Sequence, residues 1–81
     1  MIHITSAQYV TDFIIWVSFD DGTFGGIDLK GVLQGRIFEP LKNPEAFSGF
    51  SVDPELRTIT WPNGADLAPE FLKALLNSDQ K

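Results

Sequence analysis

Seven consecutive residues, Phe13-Ile14-Ile15-Trp16-Val17-Ser18-Phe19, constrain this chain more than any others. β-branched and aromatic side chains suit an extended backbone, on which successive side chains point to opposite faces. Phe13, Ile15, Val17 and Phe19 then share one face, and Ile14, Trp16 and Ser18 share the other. A strand apolar on both sides belongs inside a sheet and must be covered twice, or it leaves apolar surface open. Both outcomes are open in a chain of 81 residues. Short helices and the carboxy-terminal helix could cover both faces. Alternatively, Ile14 and Trp16 form a candidate partner or dimer surface.

The flanking residues build a sheet around that strand. Residues 2–10 read as a preceding strand, separated from it by a polar corner at Thr11-Asp12. Asp21-Gly22 is a signal for a two-residue type I′ hairpin leading into Thr23–Leu29. Further on, Asn43 before Pro44 reads as an N-cap with proline at the first helical position, so Pro44–Phe47 forms a short helix. Phe50–Asp53 and Arg57–Trp61 read as a second hairpin around Pro54-Glu55. Pro69 opens a last helix with Phe71, Leu72, Leu75 and Leu76 on one stripe, where Lys73 pairs with Glu70 on the surface. The expected fold is α+β. It has a small, mostly antiparallel sheet (a three-strand meander plus a second hairpin), one or two short helices and a C-terminal helix, in a single domain over 1–81.

Most catalytic chemistry fails on inventory. There is no cysteine and one histidine, His3, so no thiolate nucleophile or Cys-based zinc site is available, and a His-dependent triad has one candidate base. None of the serines lies in a G-x-S-x-G elbow, and Gly22, Gly25 and Gly26 form neither a P-loop nor a dinucleotide fingerprint. Asp20-Asp21-Gly22 has no glutamate closing a calcium loop. Asp28, Asp53 and Asp66 read as residues that fix loops through backbone N–H groups. No catalytic residue, metal or cofactor is expected.

Charge narrows the partners. Lys30, Arg36, Lys42, Arg57, Lys73 and Lys81 stand singly, which gives no run to neutralise phosphates and no autonomous nucleic-acid binding. The net charge of −5 fits either an ordinary solvated acidic surface or a surface tuned for a basic protein partner, and charge alone does not separate the two. No stretch approaches a membrane span and the amino terminus lacks a cationic leader, so a cytoplasmic protein without a membrane role is expected.

A longer pattern carries a resemblance. Phe19-Asp20-Asp21-Gly22, Gly26-Ile27-Asp28-Leu29, Phe38, Leu41, Phe47 and Val52-Asp53 lead to Thr58-Ile59-Thr60-Trp61-Pro62-Asn63-Gly64-Ala65-Asp66-Leu67-Ala68-Pro69. In order and spacing this resembles the small bacterial family called domain of unknown function 2442. The resemblance implies an α+β fold and supplies no catalytic residues. Some members look like partners of a small neighbouring protein in a toxin–antitoxin arrangement. Together with the acidic charge and the extra apolar strand face, this gives the expectation of a non-enzymatic interaction module, the antitoxin-like partner of a small basic protein encoded nearby, while the Ile14 and Trp16 face adds a homodimer as a further expectation. The alternative is a regulatory or ligand-binding domain of the type found fused to helix-turn-helix domains.

Trp61, Asn63, Gly64 and Asp66 form a candidate corner, structural or functional. Proline stops the ladder and Asn63-Gly64 supplies positive φ. In a two-residue loop Trp61 and Asp66 lie opposite one another, and Asp66 would accept the indole N–H.

Overall fold

The computed structural model describes residues 1–79. β1 (Ile4–Thr11), β2 (Ile14–Phe19) and β3 (Phe24–Asp28) form an antiparallel meander with β2 in the middle. Single 3-10 turns follow at Lys30–Val32 and Glu39–Lys42, then α1 (Pro44–Phe47). β4 (Ser51–Val52) and β5 (Ile59–Thr60) pair as a second, two-stranded sheet, and α2 (Pro69–Asp79) closes the described chain. The chain is α+β, as its strand and turn signals require.

Local chemistry accounts for the helix starts and the loops. Asn43 caps α1, its Oδ1 accepting from Glu45 N–H at 3.0 Å, with Pro44 at the first helical position where no N–H is needed. Asp28 Oδ1 accepts from Lys30 N–H at 2.9 Å and so sets the first 3-10 turn. Asp53 Oδ1 takes the N–H groups of Glu55 and Leu56 at 2.8 and 2.9 Å, which closes the loop between β4 and β5.

All the buried apolar groups meet in one core. Ile15, Val17, Phe19 and Ile27 from the meander pack with Leu33, Leu41 and Phe47 from the connection, Ile59 and Trp61 from the second hairpin, and Leu72 and Leu76 from α2. Phe47 is its hub. This fully buried ring lies 5.2 Å from Phe13, 6.0 Å from Trp61, 6.1 Å from Tyr9 and 6.3 Å from Phe50. Most of these pairs are edge-on, the geometry that aromatic quadrupoles favour. Burying a side chain of this kind contributes about 1.5–3 kcal/mol. The stripe on α2 is narrower than its sequence implies: Leu72 and Leu76 are buried, while Phe71 is 40% exposed.

The two hairpin turns correct the expected turn type. Neither Asp21 nor Asn63 has positive φ; only Gly22 (+88°) and Gly64 (+92°) do. Phe19 N–H donates to Thr23 O at 2.9 Å and Gly22 N–H to Phe19 O at 3.1 Å. The second loop repeats this, Trp61 N–H donating to Ala65 O at 2.9 Å and Gly64 N–H to Trp61 O at 3.0 Å. Both are therefore three-residue loops, a type I turn followed by a left-handed glycine. In each, the residue before glycine locks the turn: Asp21 Oδ1 accepts from Thr23 N–H at 3.0 Å, and Asn63 Oδ1 from Ala65 N–H at 3.1 Å. Pro62 gives the physical reason in the second loop, since its ring fixes the negative φ that the first central position of a type I turn needs.

Candidate functional site

The alternation along β2 divides its side chains as the sequence implies. Ile15, Val17 and Phe19 are buried, whereas Ile14, Trp16 and Ser18 are half-buried on the opposite face. The helices do not cover both faces. Their buried residues join the inner-face strand residues in one cluster, and neither Ile14 nor Trp16 belongs to that cluster or packs against it. With so few helical turns in the chain, covering one face consumes the apolar residues they have.

Register defines what surrounds the two residues on that outer face, because directly opposed residues share a side. Trp16 lies between Gln8 of β1 and Gly26 of β3, Ile14 beside Asp28, and Ser18 between Ser6 and Phe24. Gly26 puts no side chain next to Trp16, and the indole reaches instead toward Phe24, with ring centroids 6.0 Å apart. Phe24 is 61% exposed, the most exposed aromatic side chain described. The result is an open apolar stripe of Ile14, Trp16 and Phe24. A hydroxyl cluster borders it at one end, where Ser18 Oγ lies 2.7 Å from both Thr5 Oγ1 and Ser6 Oγ. At the Ile14 end stand Asp12 and Asp28, with Lys30 beside them. Phe24 escaped sequence reasoning; the register fixed by the Asp20-Asp21-Gly22 loop was the signal that brings it to Trp16.

The second candidate, the corner, is spent on the fold. Trp61 is buried at 3% exposure and rests against Phe38, Phe47 and Phe50, with centroids 6.0–6.3 Å away. Its indole N–H donates to Phe47 O at 2.8 Å, so Asp66 is not its partner. The three-residue loop moves the register by one, placing Ala65 opposite Trp61 and bridging exposed Asp66 to Thr60. Asn63 Nδ2 donates to Ile37 O at 2.8 Å, tying the corner to the segment before the second 3-10 turn. Thr58 Oγ1 donates to Leu67 O behind it. Gly64 supplies the positive φ. Among the described residues no buried side-chain nitrogen or oxygen lacks a hydrogen-bond partner.

The acidic side chains of the first hairpin are also engaged. Lys73 does not pair with Glu70: its ammonium reaches Asp21 Oδ2 and Thr23 Oγ1, both at 2.7 Å, and lies 5.5 Å from the Phe19 ring centre. The Lys73 hydrogen bond, reinforced by Thr23, holds the Asp21 carboxyl well below the ordinary carboxylate range. Asp20 accepts from His3 N–H at 3.1 Å, with His3 Nδ1 3.1 Å from its other oxygen, and this lowers its pKa as well. Asp53 is lowered by the N–H groups of Leu56 and Glu55. These carboxylates hold turns in place. No group of three or more metal-ligating side chains occurs among the described residues, and no helix there is long and apolar enough to cross a membrane.

A family model described as Protein of unknown function (DUF2442) matches residues 4–77, the span from the start of β1 into α2. No curated protein and no solved structure matches the chain.

Proposed function

The chain belongs to this DUF2442 family of unknown function, and from that premise we propose that it is a non-enzymatic protein-interaction module that docks a partner on the outer face of its three-stranded sheet. One observation carries the reading: the central strand is apolar on both sides, yet only one side lies in the core. Ile14, Trp16 and Phe24 form a rigid anchor at low entropic cost, and aromatic anchors of this kind dominate binding energy at protein interfaces. A net charge of −5, with Asp12 and Asp28 at the rim, favours a small basic protein by steering its approach. The antitoxin-like role, neutralising a basic protein encoded nearby in a bacterial cytoplasm, is the specific form of this proposal.

Co-expression with the proteins encoded beside it tests the reading. A small basic product should co-purify with the wild-type chain and be lost from Trp16→Asp, while the variant keeps its circular dichroism and its cooperative unfolding. If no neighbour co-purifies and none has its toxicity relieved, the reading is wrong.

A second reading rests on a shallow, mainly apolar groove of about 280 Å³ beside the corner, lined by Pro40, Leu41, Glu45, Ala46, Gly49, Pro62 and Asn63. It supports the alternative, a regulatory or ligand-binding domain. Small-molecule pockets usually run from about 300 to 1,000 Å³, so this groove lies just under the working range and ranks second. A metabolite that raises the melting temperature, and fails to do so in Ala46→Trp, would reverse that ranking.

A further inference from the structure

Gly26 has no duty in the fold. It lies inside β3, where a residue without a side chain weakens the strand. A strand glycine ordinarily serves a left-handed backbone, a bulge, a tight internal contact or a close approach from outside. The first three fail here. Gly26 is not among the residues of positive φ, and β2 pairs with β3 in unbroken register from Ile14 and Asp28 to Ser18 and Phe24. A Cβ on Gly26 would meet Ile14 Cγ2 and Ile15 O at 3.9 Å, which is ordinary van der Waals contact. Nor does the opposed indole fold down over the gap: Trp16 leans toward Phe24, and Gly26 stays exposed. Gly31 has similar latitude but sits in a turn, whereas Gly26 faces the open side of the sheet.

The missing side chain leaves a notch whose walls differ in character. Alternation puts Phe24, Gly26 and Asp28 on one face of β3, opposite Ser18, Trp16 and Ile14. Aromatic surface thus borders the notch on one side and a carboxylate on the other. Two residues of antiparallel strand advance about 6.8 Å, which sets the span from Gly26 to Asp28. Asp28 Oδ1 is taken by Lys30 N–H, but among the described residues no hydrogen bond or ion pair engages Oδ2. At the Ile14 end lies a cleft of about 360 Å³ lined by Asp12, Phe13, Ile14, Asp28 and Lys30. Two carboxylates against one ammonium leave that end formally anionic.

We propose that the notch over Gly26 receives an arginine side chain of the basic partner, its guanidinium against the Trp16 ring and paired with Asp28 Oδ2. The inference names the chemistry of the docking face proposed above and rests on that reading. Charge selects the occupant: an acidic side chain would meet Asp28 directly, and an apolar one would strip water from its free oxygen without replacing it. Arginine is preferred to lysine because its flat, weakly hydrated head stacks on an aromatic face while its N–H groups reach a carboxylate. A side chain on Gly26 would occupy the floor on which that head lies.

Amide NMR of the full chain, titrated with the capped tripeptide Gly-Arg-Gly and with its Gly-Lys-Gly counterpart, tests this. The arginine peptide should shift the Gly26 and Asp28 amides and the Trp16 indole N–H together and saturably, and the lysine peptide should bind more weakly. Asp28→Asn should weaken binding about two- to fivefold, the range of an exposed ion pair, and Gly26→Val should abolish it. Gly26→Ala should meanwhile raise the melting temperature by about 2–8 °C, because it restricts the unfolded chain and breaks no contact. The proposal is overturned if the arginine peptide moves none of these resonances, if the lysine peptide binds as well, if Gly26→Val binds like the wild type, or if Gly26→Ala melts well below it. Should Gly26→Val fail to fold, Gly26→Ala replaces it in the titration, and unweakened binding overturns the proposal. Co-purification separates this inference from the docking reading. A neighbour lost from Trp16→Asp but kept by both Gly26→Val and Asp28→Asn overturns the arginine and leaves the docking face standing. If no neighbour is captured the docking reading fails, and the peptide titration decides the notch.

Discussion

Trp61→Phe tests the reading of the corner as a structural clamp. Two losses add up. The indole N–H that reaches Phe47 O at 2.8 Å disappears, and an acceptor left without its buried donor costs about 1–3 kcal/mol. The missing second ring removes roughly 40 Å³ from a site only 3% exposed, and lost transfer energy together with the void costs a further ~2 kcal/mol. The combined expectation is about 3–5 kcal/mol. In a domain of this size one kcal/mol moves the melting temperature by roughly 4–8 °C, so the variant should melt at least about 12 °C lower. Asp66→Ala is the control. Its side chain is exposed and has no part in holding Trp61, so the change should stay within about 0.5 kcal/mol. Thermal unfolding by circular dichroism reads both. A Trp61→Phe protein that melts with the wild type, or an Asp66→Ala protein that falls as far as Trp61→Phe, would refute the reasoning.

Other substitutions probe the remaining contacts. Gly64→Ala forces an L side chain to φ +92° with nothing nearby to clash, so its cost of about 1–2 kcal/mol is conformational and should appear as a matching fall in stability to urea. Asp20, Asp21 and Asp53 all have folded pKa values below the ordinary 3.8. Their contribution is therefore complete above that value and lost as pH falls through the lowered ones. The melting temperature should drop on acidification below about pH 4, and Lys73→Met, which removes the main hold on Asp21, should make that drop shallower. An unchanged slope would contradict the Lys73 contact. Trp16→Asp, outside the core, should cost no more than about 1 kcal/mol by the same unfolding assay.

The architecture was legible because its signals are local. Asp21-Gly22 and Asn63-Gly64 mark both hairpin turns, Asn43-Pro44 marks the start of α1, and the two-sided run at β2 marks the middle of a sheet. The turn geometry was read wrongly from those same dipeptides. Asn-Gly and Asp-Gly favour type I′ in isolation, but in both loops the residue two before glycine takes the first central position of a type I turn. Pro62 was the visible clue. That one-residue difference decides the corner, since it moves Asp66 away from Trp61 and leaves the indole to Phe47. Other features were out of local reach. Lys73 lies 52 residues from Asp21, and only packing α2 against the meander brings them together. Which side of β2 the helices would cover likewise depends on three-dimensional closure, not on any pattern within Phe13–Phe19.

Two tryptophans with opposite roles express the central claim: Trp61 locks the core, and Trp16 stands on the face left for a partner. Fluorine NMR of the chain carrying 5-fluorotryptophan, assigned with Trp16→Phe, reads both in one sample through the solvent isotope shift. The account expects a clear shift for Trp16 in the isolated chain and none for Trp61. Two equally shielded tryptophans, or a shielded Trp16 that stays shielded on dilution, would contradict it.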